Sequence, residues 1–455
     1  MTEHPWANDA FFYHIYPLGL CAAPPRNDFV SAPVPRLEEL YRWLDPIQEL
    51  GANTLYLGPL FESSAHGYDT ADYFQVDRRL GENRLLTAFS KELHRRGLRL
   101  VLDGVFNHVG RDFWAFKDLL STRERSVYAA WFQNLDFSRS SPYGDPFYYE
   151  GWSGHYDLVK LNLANPEVRA HLFQAARFWI EEFEIDGLRL DAADQILPDF
   201  LIDLGRVCRE LRPDFWLMGE MVFGDYSVLL SEGGLDSVTN YEAYKGLYSS
   251  HNDRNYFEIA YALNRQFGPQ GLYRQASLYS FADNHDVDRV ASVLKDPAHL
   301  YPLYCLLFTM PGIPSVYYGS EWGLPGQRLP GSDAPLRPAL DPAQAQTMPQ
   351  PHLAKWIARL AGIRRRCPAL RRGGYRELLV APQQFAFLRE HSEGSVVVVV
   401  NAANAPSQME MRLPIEKGWL EDLLQPGETF QVVGGQARLA SIPPNGGRIL
   451  ALRPG

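Results

Sequence analysis

The stretch Gly187-Leu188-Arg189-Leu190-Asp191 is the one around which this chain is organised. Leu188 and Leu190 alternate with Arg189 and Asp191, and this period of two predicts a half-buried strand that carries a guanidinium and a carboxylate on one face. A fixed arginine keeps a neighbouring carboxylate ionised, which suits a nucleophile. A buried ion pair that only holds the fold explains the same residues equally well. The rest of the chain has to decide between the two.

Strand-like and helix-like segments alternate on both sides of this stretch. Helix-like segments at 166–183 and 197–211 flank it directly. The eight predicted strands are residues 11–16, 54–57, 98–105, 187–191, 216–220, 237–241, 278–283 and 315–318. Such alternation predicts parallel strands joined by crossover helices, and eight such units predict an α/β fold of the (β/α)8 TIM-barrel type.

Two regions depart from the alternation. Residues 109–165 are rich in aromatic residues, Asp, Ser, Gly and Pro, and an excursion of this length predicts an inserted subdomain after strand three. From about residue 370, short strands separated by turns predict a C-terminal antiparallel β-sandwich domain. The predicted division is a barrel of residues 1–108 and 166–370, an inserted subdomain of residues 109–165 and a C-terminal domain of residues 371–455.

Composition and charge limit the partners and the compartment. The 455 residues carry a formal net charge of -10, and no basic block predicts a nucleic-acid or anionic membrane partner. The four cysteines lie far apart, in no spacing typical of a disulfide framework or a zinc site. Because the first residues do not read as a signal peptide, we expect a cytoplasmic protein. The sequence predicts no oligomeric state.

Acidic and imidazole side chains follow four of the predicted strands. Strand three ends in Asp103 and Asn107-His108, strand four in Arg189 and Asp191, strand five in Glu220, and strand seven in Asn284-His285-Asp286. One such residue is more often a helix cap, but four groups at the carboxyl ends of barrel strands predict an active site.

Two kinds of chemistry fit this set of side chains. Three acids with one arginine and two histidines fit glycosidic bond cleavage, in which one carboxylate attacks the anomeric carbon and another protonates the leaving oxygen. A divalent metal held by carboxylates on successive strand ends is the competing reading. Arg189 argues against the metal, because its charge lies two residues from Asp191 and would repel a cation.

The strand-end motifs resemble those of the α-amylase family of glycoside hydrolases. Residues 103–108 (DGVFNH) are similar to the family motif D-x-x-x-N-H, residues 187–191 to G-x-R-x-D, and residues 284–286 to N-H-D. The resemblance covers roughly residues 8–370, and the predicted β-domain that follows fits the family's third domain.

The resemblance implies a role for each matched residue. Asp191 would be the nucleophile, Glu220 the acid/base, and Asp286 the group that binds the sugar hydroxyls and stabilises the distorted ring. The implied substrate-binding residues are Tyr68, Asp103, His108, Arg189 and His285. Asn107 matches a calcium ligand of many members, so calcium is a candidate ligand, although no cofactor is required.

Within the family, the chain is similar to the cyclomaltodextrinase and neopullulanase group. Val159-Lys160-Leu161-Asn162 resembles that group's lysine-containing motif, and Ala65 stands where exo-acting α-glucosidases place an Asp. Two features depart from the pattern. The group usually carries an N-terminal β-domain, whereas this chain starts at strand one, and Ser320 stands where an Asp is usual.

The resemblance implies a retaining hydrolase that cleaves α-1,4 bonds of malto-oligosaccharides, and as further candidates cyclodextrins or pullulan, through a β-glucosyl-aspartate intermediate. The alternative is a glucanotransferase or an isomerising relative, because the same carboxylates serve both reactions. A non-catalytic binding subunit is disfavoured, because all three carboxylates are present.

Overall fold

Eight parallel strands form a closed barrel in the computed structural model, which describes residues 5–455. The strands are Phe12–Ile15, Thr54–Leu57, Arg99–Gly104, Gly187–Leu190, Trp216–Gly219, Ser237–Val238, Tyr279–Phe281 and Ile313–Tyr317. Consecutive strands pair in parallel from one to six and from seven to eight, and strand one pairs with strand eight. A parallel bridge between Thr239 and Tyr279 closes the barrel between strands six and seven. The predicted TIM barrel is confirmed.

Helices follow the strands around the outside of the barrel. The longer ones are Leu44–Leu50, Asn83–Arg95, Pro166–Phe183, Pro198–Leu211, Tyr241–Asn252, Phe257–Phe267, Leu300–Thr309 and Leu353–Arg366. The helix before strand four begins with a proline, and the side chain of Asn165 caps it by accepting from the N–H groups of Glu167 and Val168 at 2.8 and 3.3 Å. None of the helices in residues 5–455 is long and apolar enough to span a membrane.

The helix Tyr241–Asn252 was not among the elements expected from the sequence. It contains three tyrosines, two serines and a glycine, which are weak helix formers. Asn240 caps it by accepting from the Ala243 N–H at 3.0 Å, and the helix packs against Phe257–Phe267. Tertiary packing therefore outweighs local propensity here.

Short strands build the region between barrel strands three and four. His108–Gly110, His155–Lys160 and Gly151–Trp152 form a three-stranded sheet, and the helix Trp114–Thr122 accompanies it. Gly110 leaves room for a close approach, because a Cβ there would lie 2.3 Å from the Asp69 carbonyl oxygen. This sheet therefore fixes His108 at the rim of the barrel.

Eight antiparallel strands follow the barrel and confirm the predicted C-terminal β-domain. They are Gly374–Val380, Gln384–Glu390, Ser395–Asn401, Ser407–Arg412, Lys417–Asp422, Thr429–Val433, Gln436–Ile442 and Gly446–Pro454. In strand Ser395–Asn401, Val396, Val398 and Val400 pack into the core shared with the barrel, whereas Val397 and Val399 pack into the domain's own core. The exact domain boundaries given above stay predictions.

Candidate active site

Arg189 joins three carboxylates at the carboxyl ends of barrel strands three, four and five. Its Nη1 donates to Asp103 Oδ1 at 2.9 Å and to Asp191 Oδ1 at 2.8 Å, and its Nη2 lies 2.6 Å from Glu220 Oε1. The guanidinium side chain is 3% exposed, so these contacts are shielded from water and fixed in geometry. The structure therefore brings together the motifs that the sequence placed on three different strands.

Asp103 is enclosed by protein groups. Its Oδ2 accepts hydrogen bonds from the hydroxyls of Tyr56 at 2.8 Å and Tyr68 at 3.0 Å, while Arg189 occupies Oδ1. The Tyr68 ring lies nearly parallel to the His285 ring, with centroids 5.5 Å apart, and its hydroxyl also bonds to His285 Nε2. Tyr68 thus connects the strand-three motif to the strand-seven motif.

Asp286 lies between a histidine and an arginine. His285 Nε2 lies 2.8 Å from its Oδ2, and Arg337 Nη2 lies 2.9 Å from its Oδ1. Arg337 also donates from Nε to the His285 carbonyl oxygen at 3.0 Å. At 30% exposure, the Asp286 side chain is more open to solvent than those of Asp191 and Glu220, at 11% and 13%.

The backbone directly after Asp191 donates a hydrogen bond to Glu220. Ala192 has a positive φ of 46°, which is uncommon for a residue with a side chain and is often found at functional sites. This conformation directs the Ala192 N–H to Glu220 Oε2 at 3.2 Å. The Tyr241 hydroxyl lies 3.3 Å from Glu220 Oε1 and accepts from Asn284 Nδ2 at 3.1 Å. Glu220 is therefore tied to both neighbouring motifs.

The imidazole of His108 is neutral and faces Asp191. Its Nε2 lies 3.8 Å from Asp191 Oδ2. Burial, and the nearby His66, lower the pKa of His108 to about 3. Asn107 Nδ2 lies 3.3 Å from His108 Nδ1. His108 therefore places a neutral imidazole nitrogen beside the Asp191 carboxylate.

Asp191 titrates in the direction opposite to the one expected from the sequence. Burial raises its pKa well above the ordinary value, Arg189 opposes this, and the charges of Glu220, Asp103 and Asp286 raise it further. The sequence predicted that the adjacent arginine keeps Asp191 ionised. The structure differs because burial is the largest influence on the Asp191 pKa, and because the one neighbouring guanidinium is shared with Asp103 and Glu220.

The pKa of Asp286 moves the other way. Burial alone raises it, but the charge and hydrogen bond of His285, together with the charge of Arg337, outweigh burial and hold the pKa well below its usual range. Asp286 is therefore ionised wherever the protein is folded near neutral pH, while Asp191 retains its proton to higher pH than an ordinary carboxyl does.

The surroundings of Asn107 do not fit a calcium ion. Its Oδ1 is buried without a hydrogen-bond partner, but its carbonyl oxygen is taken by the Leu161 N–H at 3.0 Å. Calcium takes six to eight oxygen ligands, several of them carboxylates. Within residues 5–455, no three His, Cys, Asp or Glu side chains form a group that could hold a metal ion. A single amide oxygen does not make such a site.

Ser320, which departs from the family pattern, has a clear partner. Its Oγ lies 2.8 Å from Oδ2 of the buried Asp283 and accepts from Arg289 Nη1 at 3.2 Å. Burial raises the pKa of Asp283, and Arg289 opposes this. A serine at this position supplies a hydrogen bond without placing a second negative charge beside Asp283.

Four side chains at the site were not identified from the sequence: Tyr56 and Tyr241, described above, and Arg337 and Trp152. Arg337 lies 51 residues beyond Asp286 in the loop after strand eight, within no recognised motif. Trp152 lies in the inserted region, with its ring centroid 5.6 Å from that of His108. Their only sequence signal is residue type, since Arg and Trp are frequent in binding clefts.

Comparisons with known proteins agree with this geometry. A family model described as the catalytic domain of alpha amylase matches residues 37–366. A cyclomaltodextrinase from a Bacillus species is 32% identical over 421 residues, which cover 87% of this chain and 73% of that protein. Neopullulanase 2 from Thermoactinomyces vulgaris is 32% identical over 472 residues, 98% of this chain and 78% of that protein. The ligand-free structure of the cyclic α-maltosyl-(1→6)-maltose hydrolase from Arthrobacter globiformis is 29% identical, with a TM-score of 0.82 and 99% of both chains covered.

Proposed function

Because the chain belongs to the alpha-amylase family of glycoside hydrolases, we propose that it cleaves α-1,4 bonds of short α-glucans with retention of the anomeric configuration. The observation that carries the proposal is the Arg189 guanidinium, which binds Asp191 at 2.8 Å and Glu220 at 2.6 Å. One rigid group thus holds two carboxylates in the same cleft, as a two-carboxylate mechanism requires.

In the proposed reaction, Asp191 and Glu220 act in two steps. Asp191 attacks the anomeric carbon through Oδ2, the oxygen not bound to Arg189, while Glu220 gives its proton to the leaving glycosidic oxygen. Glu220 then removes a proton from water, which attacks the same carbon and releases Asp191. Each step inverts the anomeric centre, so the product keeps the original configuration.

The other site residues serve these two. Asp286 is ionised and the most open of the three acids, which suits a group that binds sugar hydroxyls and the positive charge that develops at the anomeric carbon. The Nε2 atom of His108 and the rings of Tyr68 and His285 suit contacts to the same sugar. Asp103 is 2% exposed and surrounded by protein donors, so we assign it the positioning of Arg189 and Tyr68 instead of substrate binding.

We propose malto-oligosaccharides and small cyclic glucans as substrates. Cyclic α-maltosyl-(1→6)-maltose is the first cyclic compound to test, because the hydrolase that acts on it matches 99% of this chain along 99% of its own length. Cyclodextrins and pullulan follow from the names of the other relatives.

The four cysteines form no disulfide in the structure, which supports our expectation of a cytoplasmic protein. Cell fractionation with an antibody against the chain tests that expectation.

Proton NMR of the purified protein tests the proposal directly. The protein is mixed in separate tubes with maltotriose, β-cyclodextrin, cyclic α-maltosyl-(1→6)-maltose, pullulan and isomaltose. We expect the α-anomeric signal of new reducing ends to appear before mutarotation produces the β-anomer. If the β-anomer appears first, the retaining mechanism is refuted. If none of the five compounds is cleaved, the proposed substrates are refuted. Formation of longer oligosaccharides would identify the transferase alternative.

A further inference from the structure

A tight hairpin holds Trp152 at the edge of the candidate active site. Strand Gly151–Trp152 pairs with His155–Lys160, and the Ser153-Gly154 loop between them has φ values of 46° and 83°. Two positive φ values are what a type I′ hairpin turn requires. Gly151 has no room for a side chain, because a Cβ there would lie 2.4 Å from the His155 carbonyl oxygen. The local sequence is therefore adapted to this turn.

The hairpin places the Trp152 indole one side chain away from Asp191. Its ring centroid lies 5.6 Å from that of His108, and His108 Nε2 lies 3.8 Å from Asp191 Oδ2. The indole also stacks on His155, with ring centroids 5.9 Å apart and an interplanar angle of 24°. The indole thus contacts two imidazoles, one of which is His108.

The indole N–H of Trp152 has no hydrogen-bond partner among residues 5–455, although its Nε1 atom is buried. His108 Nε2 is likewise buried and without a hydrogen-bond partner in this part of the chain. Buried donors are normally paired, because leaving one unmade is costly. Trp131 of the same region illustrates the normal case, since its Nε1 donates to Glu167 at 2.9 Å. An unpartnered indole donor and an unpartnered imidazole nitrogen, on adjacent rings beside an active-site carboxylate, fit the hydroxyl groups of a sugar.

We propose that Trp152 is a specificity-determining residue, which donates a hydrogen bond from its indole N–H to a hydroxyl of the bound α-glucan and forms the wall of the cleft next to His108. This inference rests on the proposed function. Trp152 lies one ring farther from Asp191 than His108 does, so its contact is made equally in the ground state and the transition state. Such a contact affects KM more than kcat.

Steady-state kinetics of Trp152→Phe with maltotriose test the proposal. Phenylalanine keeps an aromatic ring against the two imidazoles and removes only the N–H donor and part of the ring. We expect KM to rise about three- to tenfold, which corresponds to the loss of one neutral hydrogen bond, while kcat stays within about twofold. The melting temperature should stay at the wild-type value, because the lost donor has no partner within the protein.

Trp114→Phe is the matched control. Trp114 belongs to the same inserted region, is 39% exposed and packs edge-on against Tyr128 and Trp131 at 4.9 and 5.4 Å. It contacts none of the residues placed in the active site, so its KM and kcat should match those of the wild type.

Three outcomes would overturn the assignment. An unchanged KM in Trp152→Phe would show that the N–H does not reach the substrate. A parallel loss in kcat and melting temperature would show a structural role. To separate binding from turnover, the affinity for maltotriose is also measured by calorimetry in two inactive variants, Glu220→Gln alone and Glu220→Gln combined with Trp152→Phe. Equal dissociation constants in the two variants would refute the contact. Wild-type protein that neither cleaves nor binds any glucan would instead refute the proposed function, and this assignment with it.

Discussion

Replacing Asp103 by asparagine should let the enzyme work at lower pH. Asp103 and Asp191 bind the same nitrogen of Arg189, at 2.9 and 2.8 Å, so their charges lie close together. At a separation of about 5.5 Å and an effective dielectric constant of about 20, their repulsion is roughly 3 kcal/mol. That energy corresponds to roughly two pK units, and because Arg189 screens the pair, we expect a shift of about one to two units.

The sign follows from the state that reacts. Asp191 must be ionised to attack, and its pKa is raised by burial and in part by the charge of Asp103. Activity is therefore lost as the pH falls through that pKa. Asp103→Asn removes one negative charge and leaves more of the Arg189 charge for Asp191, so the pKa falls and the ionised form persists to lower pH.

The assay is the pH dependence of kcat/KM for maltotriose, whose acid limb reports the essential base of the free enzyme. The acid limb of Asp103→Asn should lie about one to two pH units below that of the wild type, even if the rate at the optimum is reduced. Asp333→Asn is the control, because Asp333 binds Arg337 at 3.1 Å and is not among the charges that raise the pKa of Asp191. An acid limb that stays in place or moves to higher pH would refute this account of the site's charges.

Three further predictions concern the proposed nucleophile Asp191, the tightly packed Gly110 and calcium. Asp191→Asn should lower kcat on every active glucan by at least about 10⁴-fold at an unchanged melting temperature, and near-normal turnover would exclude Asp191 as nucleophile. Gly110→Ala should cost roughly 1–3 kcal/mol in urea unfolding, because its Cβ meets backbone at 2.3 Å, whereas Gly374→Ala, with open space around it, should be neutral. Dialysis against EDTA should leave kcat and melting temperature unchanged, and recovery of lost activity by calcium would contradict our reading of Asn107.

The strand-end motifs were the part of the site that sequence could predict. Asp103, Asp191, Glu220 and Asp286 each follow a buried apolar strand, and parallel strands in a barrel bring their carboxyl ends to one face. The alternation of apolar and polar residues along each strand, together with the position of each strand in the chain, is enough to place such residues together. Their proximity through Arg189 follows from the same rule, since Arg189 lies two residues before Asp191 on one strand.

Arg337 and Trp152, which the sequence did not identify, reach the site through distant contacts. Arg337 reaches Asp286 only because its loop turns back over Tyr16, with the guanidinium 4.6 Å from that ring. Trp152 reaches His108 through a hairpin whose register is set by the pairing of His108 with Lys160. Neither contact is encoded in a local period. The direction of the Asp191 pKa was also misjudged, because the sequence shows one neighbouring arginine but not the other carboxylates that share it.

The neighbouring acids of this cleft have different cationic partners, which explains how they can differ in pKa and so in protonation. Arg189 is shared by Asp103, Asp191 and Glu220, and burial together with the neighbouring carboxylate charges raises the pKa of Asp191 above that of an isolated carboxyl. Asp286 has His285 and Arg337 and is held ionised. Environments that push the pKa values of neighbouring acids apart are those that divide the work of acid and base. The charge on Asp286 is the one that the proposed reaction needs opposite the developing cation, whereas Asp191, whose pKa is raised, has to lose its proton before it can attack.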